Sequence, residues 1–468
     1  WTTTNLKELG VQISIPKAAR LVLNGLRKKG FEVYLVGGCV RDVIMKRPPK
    51  DFDVLTTAEL REVKQIFSRC EIVGKRFPIC HVHVNDSIIE VSSFSTCGRK
   101  SINDLNYSLR PPDCDDHDYL RWRNCLRRDF TINGLMLNPF SNRVHDYFGG
   151  IKDLKKAKVQ TVIPPRLSFT EDCARILRAI RVAARLDFNF SRETAHSIVD
   201  LANSVLRLDK GRLLMEINYM FAYGSAQSSL RMLWRFGLLE LLLPIQAAYF
   251  ASQGFRRRDK RTNMLLALFS NLDSHLAPDR PCHNSLWIAL LAFHQALVQK
   301  PQDPLVIAVF IFALSNGGDL TEAIKIAKAK THPPDVSFPE LLQPQEWCTD
   351  EELVNEVLDL ASSMNTALSS MTDEYHVAKA MARYPQAPFS DLVFIPLQSY
   401  LSVCRVFECV GRKTKESGYE GRRRHKLNYS NLASGSLPDV RFALSQVVLD
   451  TLYPPKPKNV SCEDLPED

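Results

Sequence analysis

The chain has 468 residues, 45% of them hydrophobic, and a formal net charge of +9. That length suggests two to four domains, and that apolar content fits a globular protein with a large core. The longest apolar run, 305–314, is too short for a bilayer span of ~20 residues, so a core helix and no membrane partner are expected there. The positive balance points to a polyanionic partner such as nucleic acid. The 12 cysteines contain no C-x-x-C pair, which gives zinc and thioredoxin-like readings no support and fits reduced thiols in an intracellular compartment. A start at Trp1 implies an upstream segment removed or left out, whether by loss of a targeting peptide or by trimming.

The first third mixes strands and helices. Residues 15–29 read as a helix, with Ser14 at its cap and Pro16 in its first turn. An apolar strand over 31–36 ends at Gly37-Gly38, and a short helix follows over 39–46. Next come a strand over 51–55, a helix over 59–68, and short strands over 71–77, 81–84 and 88–94, with a turn at Asn85-Asp86. The polar stretch 97–124 shows no periodicity and is expected to be a long, mobile loop. Order resumes over 127–137, and 144–148 reads as a strand before Gly149-Gly150. From about Ser168 the spacing turns helical, over 171–186, 193–202 and 213–223 and onward to 389–409. The charged stretch 413–426 reads as a solvated loop, and the Pro-rich, acidic end from Pro454 as frayed.

Chemistry concentrates first at Asp51-Phe52-Asp53. On a strand the two carboxylates point the same way while Phe52 points to the core. Such a pair can hold a hard cation such as Mg²⁺, and two ions ~3.5–4 Å apart can serve both the attacking hydroxyl and the leaving pyrophosphate of a phosphoryl-group transfer. Glu90 stands on a neighbouring strand, and its Ile flank implies a buried charge that needs a partner. A D-x-D pair alone is also common on edge strands. Upstream, however, a strand runs into Gly37-Gly38 and then a helix, so backbone N–H groups can approach a phosphate, with Arg41 adding a charged contact.

A second cluster is Arg127-Arg128-Asp129-Phe130-Thr131-Ile132-Asn133. Arg128 suits a triphosphate; Asp129 and Asn133 suit either a helix cap or a ribose hydroxyl. A third is Glu171-Asp172-Cys173-Ala174-Arg175 with Arg178 and Arg181. On one helix Asp172 and Arg175 share a face, which reads either as a solvated ion pair or as a base reader. An Asp acceptor beside an Arg donor complements the amine and ring nitrogen of adenine and cytosine alike, and rejects guanine and uracil. His81 and His83 alternate onto one face and read as hydrogen-bonded sheet residues in preference to a metal site.

Together, Gly37-Gly38-Cys39-Val40-Arg41-Asp42, Asp51-Phe52-Asp53, 127–133, Asp146-Tyr147-Phe148-Gly149-Gly150 and 171–175 resemble, in order, the motifs of the class II nucleotidyltransferases. That group comprises the CCA-adding tRNA enzymes and the bacterial-type poly(A) polymerases. The resemblance implies an α+β fold: a nucleotidyltransferase head with a small mixed sheet over 1–165, a helical neck over 166–255, a helical body and tail over 256–410, and a basic loop, final helix and frayed end over 411–468. It implies Asp51, Asp53 and Glu90 as ligands of two Mg²⁺ ions, and Gly37, Gly38, Arg41, Arg128, Asp129, Asn133, Asp172, Arg175, Arg178 and Arg181 as nucleotide contacts.

The stretch 72–82, with Gly74, Lys75, Arg76, Phe77 and His81, is similar to the segment that marks bacterial-type poly(A) polymerases. Lys75 and Arg76 then suit the phosphates of an RNA strand. The expected activity is therefore AMP transfer from ATP to RNA 3′ ends (mRNA, non-coding RNA or tRNA), with CTP a possible substrate. CCA addition to tRNA and a non-catalytic RNA-binding relative stand as alternatives. Arg256, Arg257 and Arg258 either grip RNA or form a solvated turn, and 422–426 either grips RNA or directs nuclear import. The resemblance is best to plant relatives, which favours a plastid or mitochondrion, with nucleus and cytosol open.

Overall fold

The computed structural model describes residues 1–74, 78–97, 110–111, 114–330, 332–383, 395–411 and 427–454. Lys75, Arg76, the loop 413–426 and the end beyond Pro454 lie outside them. The chain divides into two compact units, Trp1–Val205 and Leu206–Asp468. The division falls inside the segment 166–255 expected to be one neck.

In the first unit, eight strands form one sheet: β1 (Thr2–Asn5), β2 (Val33–Val36), β3 (Asp53–Thr56), β4 (Cys70–Val73), β5 (Ile79–Val84), β6 (Ser87–Ser93), β7 (Met136–Asn138) and β8 (Arg143–Asp146). Their order is β1-β8-β7-β2-β3-β6-β5-β4. Neighbours are antiparallel except β3 and β6, which run parallel, so the sheet is mixed. All four residues of β2 are buried, as an apolar run covered on both faces should be. Helix α1 (Lys17–Lys28) buries Ala19, Val22, Leu23 and Leu26, a single apolar stripe that packs on β2 and β6. Helices α2 (Gly38–Ile44) and α3 (Leu60–Ile66) follow β2 and β3. Three of these elements, β2, α2 and β3, carry the first two sequence motifs.

Two expectations need correction. Within 97–124, Asp116–Leu126 is a helix, α4, capped by the Asp115 side chain at the N–H of Asp118. Its polar sequence hides it, because polar contacts fix it. Arg121 donates to the hydroxyls of Tyr34 (2.8 Å) and Tyr147 (3.0 Å) and to Asp118 (2.8 Å), while only Trp122 and Cys125 join the apolar core.

The second correction concerns 171–186, which is two helices. After α5 (Gly150–Lys155), helix α6 (Pro165–Glu171) ends one residue before Asp172, and α7 (Ala174–Leu186) begins beyond Cys173. Asp172 is extended at φ −146° and ψ 99°, and its carboxylate accepts from the N–H of Ala174. A short acidic side chain that satisfies a helix-start N–H favours this break over a continuous helix.

The described residues of the second unit are helical, from Lys210–Phe221 to Leu437–Leu452, with no strand among them. The apolar run 305–314 lies in the helix Pro304–Ser315, whose Val306–Ile311 are all buried. No helix among the described residues is long and apolar enough to cross a membrane. The architecture is the expected α+β head sheet followed by helices.

Candidate active site

A cleft of about 470 Å³ opens in the first unit, lined by Gly38, Arg41, Asp51, Asp53, Glu90, Asn133, Arg178 and Arg181, with Lys50, His81, Ile88 and Arg185 among its other walls. Strand β3 begins at Asp53, not Asp51, yet the alternation holds through the approach: Asp51 is exposed, Phe52 buried and Asp53 half-buried. Both carboxylates therefore reach the cleft while the ring between them anchors in the core. Val36 pairs with Asp53, so the turn that follows β2 arrives beside that carboxylate. Gly37 takes φ +75°, and a Cβ built there would stand 3.5 Å from both Asp53 Oδ2 and Arg128 Nη1. Both distances are ordinary contacts, so it is the positive φ that glycine adopts at no steric cost.

The electrostatics follow from the crowding. Burial pushes the Asp53 carboxyl up to about 6, the Glu90 charge adds to the shift, Arg128 opposes it, and Asp51 adds further. A buried acid flanked by two like charges is short of a cation. Carboxylate oxygens suit Mg²⁺, which takes one or two carboxylates and completes its shell with water and substrate phosphates. Among the described residues no three His, Cys, Asp or Glu side chains are gathered closely enough to hold a metal ion by themselves, so water and substrate phosphates would have to complete the shell.

A polar chain ties the glycine turn to the helices. Arg41 and Asp42 pair at 2.7 Å; Arg41 also donates to Asn133 Oδ1 at 2.9 Å. Asn133 in turn donates to Asp129 Oδ1 at 3.2 Å, and Asp129 Oδ2 pairs with Arg178 at 2.7 Å. Burial would raise the Asp129 carboxyl, but Arg178, Asn133 and the N–H of Phe130 hold it below its ordinary value. Asp129 is thus a buried hub that orients Asn133 and Arg178, and it is not itself part of the cleft wall.

Helix α7 presents Arg178, Arg181 and Arg185 to the cleft. Sequence reasoning missed Arg185, although it continues the row one turn beyond Arg181. Burial lowers Arg185; Asp42 opposes that, and the charges of Arg41, Arg181 and Arg47 reinforce it. So much positive charge on one wall suits a polyphosphate. The expected Asp172/Arg175 pair is placed differently. Asp172 sits in the joint between α6 and α7, and Arg175 is bound to Ser168 Oγ (2.9 Å), Glu171 (3.2 Å) and the Arg127 carbonyl (3.2 Å). Neither lines the cleft.

In the second unit, Arg257 is exposed but held by its neighbours. It forms an ion pair with Glu240, which is 2% exposed, and lies over the Trp234 ring at 4.2 Å. Arg256 and Arg258 are exposed.

Residues 33–160 match the family described as "Poly A polymerase head domain", and 187–250 match "Probable RNA and SrmB-binding site of polymerase A". The chain is 36% identical over 240 residues to Poly(A) polymerase I of Haemophilus influenzae, covering 50% of this chain and 52% of that protein. It is 31% identical over 318 residues to Poly(A) polymerase I of Salmonella typhimurium, covering 66% and 68%. Against the CCA-adding enzyme of Staphylococcus epidermidis it is 28% identical over 288 residues, covering 61% and 62%. The chain thus spans about half to two thirds of the length of the curated relatives it matches. With the glycine turn, the acid pair and the arginine wall in the order that the resemblance implies, the chain belongs to the poly(A) polymerase family of nucleotidyltransferases.

Proposed function

We propose that the chain adds AMP from ATP to RNA 3′ ends without a template, using two Mg²⁺ ions held by Asp51 and Asp53 with Glu90 as a third carboxylate. The observation that carries this reading is one cleft lined by Asp51, Asp53, Gly38, Arg178, Arg181 and Arg185, with Asp53 beside the Gly37 turn. When bound, Mg²⁺ neutralises phosphate charge and eases ionisation of the attacking hydroxyl. The backbone at Gly37 and Gly38 receives phosphate oxygens, and Arg41, Arg128, Arg178, Arg181 and Arg185 hold the triphosphate. The terminal 3′-OH attacks the α-phosphorus in line; one P–O bond forms as the bond to pyrophosphate breaks. No side chain becomes covalently attached, so the chain contributes positioning and charge.

Acceptance of adenine and cytosine over guanine and uracil is assigned to Asp172 and Arg175, which requires Arg175 to exchange Glu171, Ser168 and the Arg127 carbonyl for a base. Exposed Arg256 and Arg258 serve the RNA backbone, as do Lys75 and Arg76.

The names of the polymerase relatives support AMP as the transferred group, and the CCA-adding relative supports a second reading, completion of tRNA. One assay separates them: tRNA lacking its CCA end and an unstructured RNA, each with ATP, CTP or both. A ladder of A on the unstructured RNA is expected. Addition that stops at CCA, on tRNA alone, establishes the second reading, and no Mg²⁺-dependent transfer to either RNA removes both.

A further inference from the structure

We infer that His81 and Ile88, on the β5–β6 hairpin, receive the terminal nucleoside of the RNA strand being extended. The inference rests on the function proposed above and adds the subsite that reading leaves open. The sheet register sets it up. Val54 pairs with Val91, so Asp53 precedes Val54 as Glu90 precedes Val91, and Glu90 pairs with His81. Asp53, Glu90 and His81 therefore form one row on one face of β3, β6 and β5. His83 pairs with Ile88, which puts Ile88 on that same face, two residues from Glu90.

Sheet order then gives direction. Asp53 has β2 and its glycine turn on one side, and β6 followed by β5 on the other. In-line displacement keeps the entering hydroxyl and the departing pyrophosphate on opposite sides of the phosphorus. With the triphosphate on the side of the glycine turn and the arginines, the strand end enters across Glu90, over His81 and Ile88. Both residues line the cleft.

Their chemistry fits a nucleoside. Ile88 is 55% exposed, a large aliphatic side chain in a mostly polar cleft, and offers an apolar surface to a base. His81 Nε2 stands 3.8 Å from Glu90 Oε1, beyond hydrogen-bond distance, so its imidazole lies at the edge of the acid cluster where it can hydrogen-bond a sugar hydroxyl. An aliphatic face and an imidazole read no base-specific pattern, as addition to RNA ends of differing sequence requires.

The test uses the full chain, Mg²⁺, ATP and an unstructured RNA hexamer, with native protein, Ile88→Ala and His81→Ala. Expected is a rise of about tenfold or more in the KM for the hexamer in each variant, with the KM for ATP within about twofold of native. Because Ile88 is exposed and its side chain can neither ionise nor hydrogen-bond, its variant separates a strand contact from an effect relayed through Glu90. If native protein transfers AMP and both variants keep the native KM for the hexamer, the subsite is wrong and the function stands. A parallel rise in the KM for ATP also overturns the subsite. If native protein transfers no AMP, the functional reading falls and takes the subsite with it.

Discussion

At Asp53 the demands of folding and of catalysis oppose each other. Burial and the charges of Glu90 and Asp51 raise its carboxyl from 3.8 to about 6 in the folded chain, against the pull of Arg128. A raised acid stabilises the fold fully below its unfolded value, and that contribution is lost as pH climbs through the folded value. Above about pH 6 the ionised group therefore costs the metal-free protein up to about 3 kcal/mol. Asp53→Asn should accordingly raise stability in chelator near neutral pH by about 1–3 kcal/mol and flatten the decline between about pH 4 and 6. It should also cut AMP transfer by at least about 10²-fold, since a fixed charge at the reaction centre is gone. Urea titration across pH, beside a transfer assay, reads both. A variant as active as native, or one with no gain in chelator, removes Asp53 from the role given to it.

At the scale of elements, Gly149 and Gly150 show how tightly the motifs are built into the fold. Gly149 is left-handed at φ +78° and starts α5; a Cβ on Gly150 would stand 2.4 Å from the Thr131 carbonyl oxygen. Asp146 accepts from the N–H groups of Gly150 (2.8 Å) and Ile151 (2.9 Å), which seats the helix start against the strand end. Gly150→Ala should destabilise by about 1–3 kcal/mol through overpacking against backbone, and Gly149→Ala by about 1 kcal/mol through its φ. Equal denaturation midpoints for the two variants and the native chain would show that the close approach is not real.

These turns were legible from the sequence because their causes are local: a positive φ, a strand alternation, a missing Cβ. The acid pair was readable for the same reason, even though β3 starts two residues later than expected. Partners distant in sequence were not. Nothing near Asp129 announces Arg178, and nothing near Arg41 announces Asn133, 92 residues on. The break at Asp172 was hidden because a helical spacing of apolar residues continues across it; only the cap bond to Ala174 reveals the joint.

For the whole molecule, a net charge of +9 would favour the RNA substrate proposed above, with a strength that depends on salt. The charge is not uniformly available, and the loop 256–261 shows the difference. Arg231 donates to the carbonyls of Asp259 (3.1 Å) and Arg261 (3.0 Å), and Arg261 pairs with Asp259 at 2.6 Å, so the loop is fixed from within. Arg256, Arg257 and Arg258 are all exposed, but Arg257 is also paired with buried Glu240. Removing Arg257 should strand a buried carboxylate and cost about 1–3 kcal/mol of stability. Removing Arg256 and Arg258 together should leave stability within about 0.5 kcal/mol, because exposed charges contribute little to folding. That double variant should instead weaken binding of an unstructured RNA and reduce the slope of log affinity against log salt by about 1–2, as lost phosphate contacts release fewer counterions. Thermal denaturation of both variants, with anisotropy titrations over a salt series, separates the two roles. An unchanged salt slope in the double variant would place the RNA path elsewhere on the surface, and an unchanged melting point in Arg257→Ala would free that arginine to be part of it.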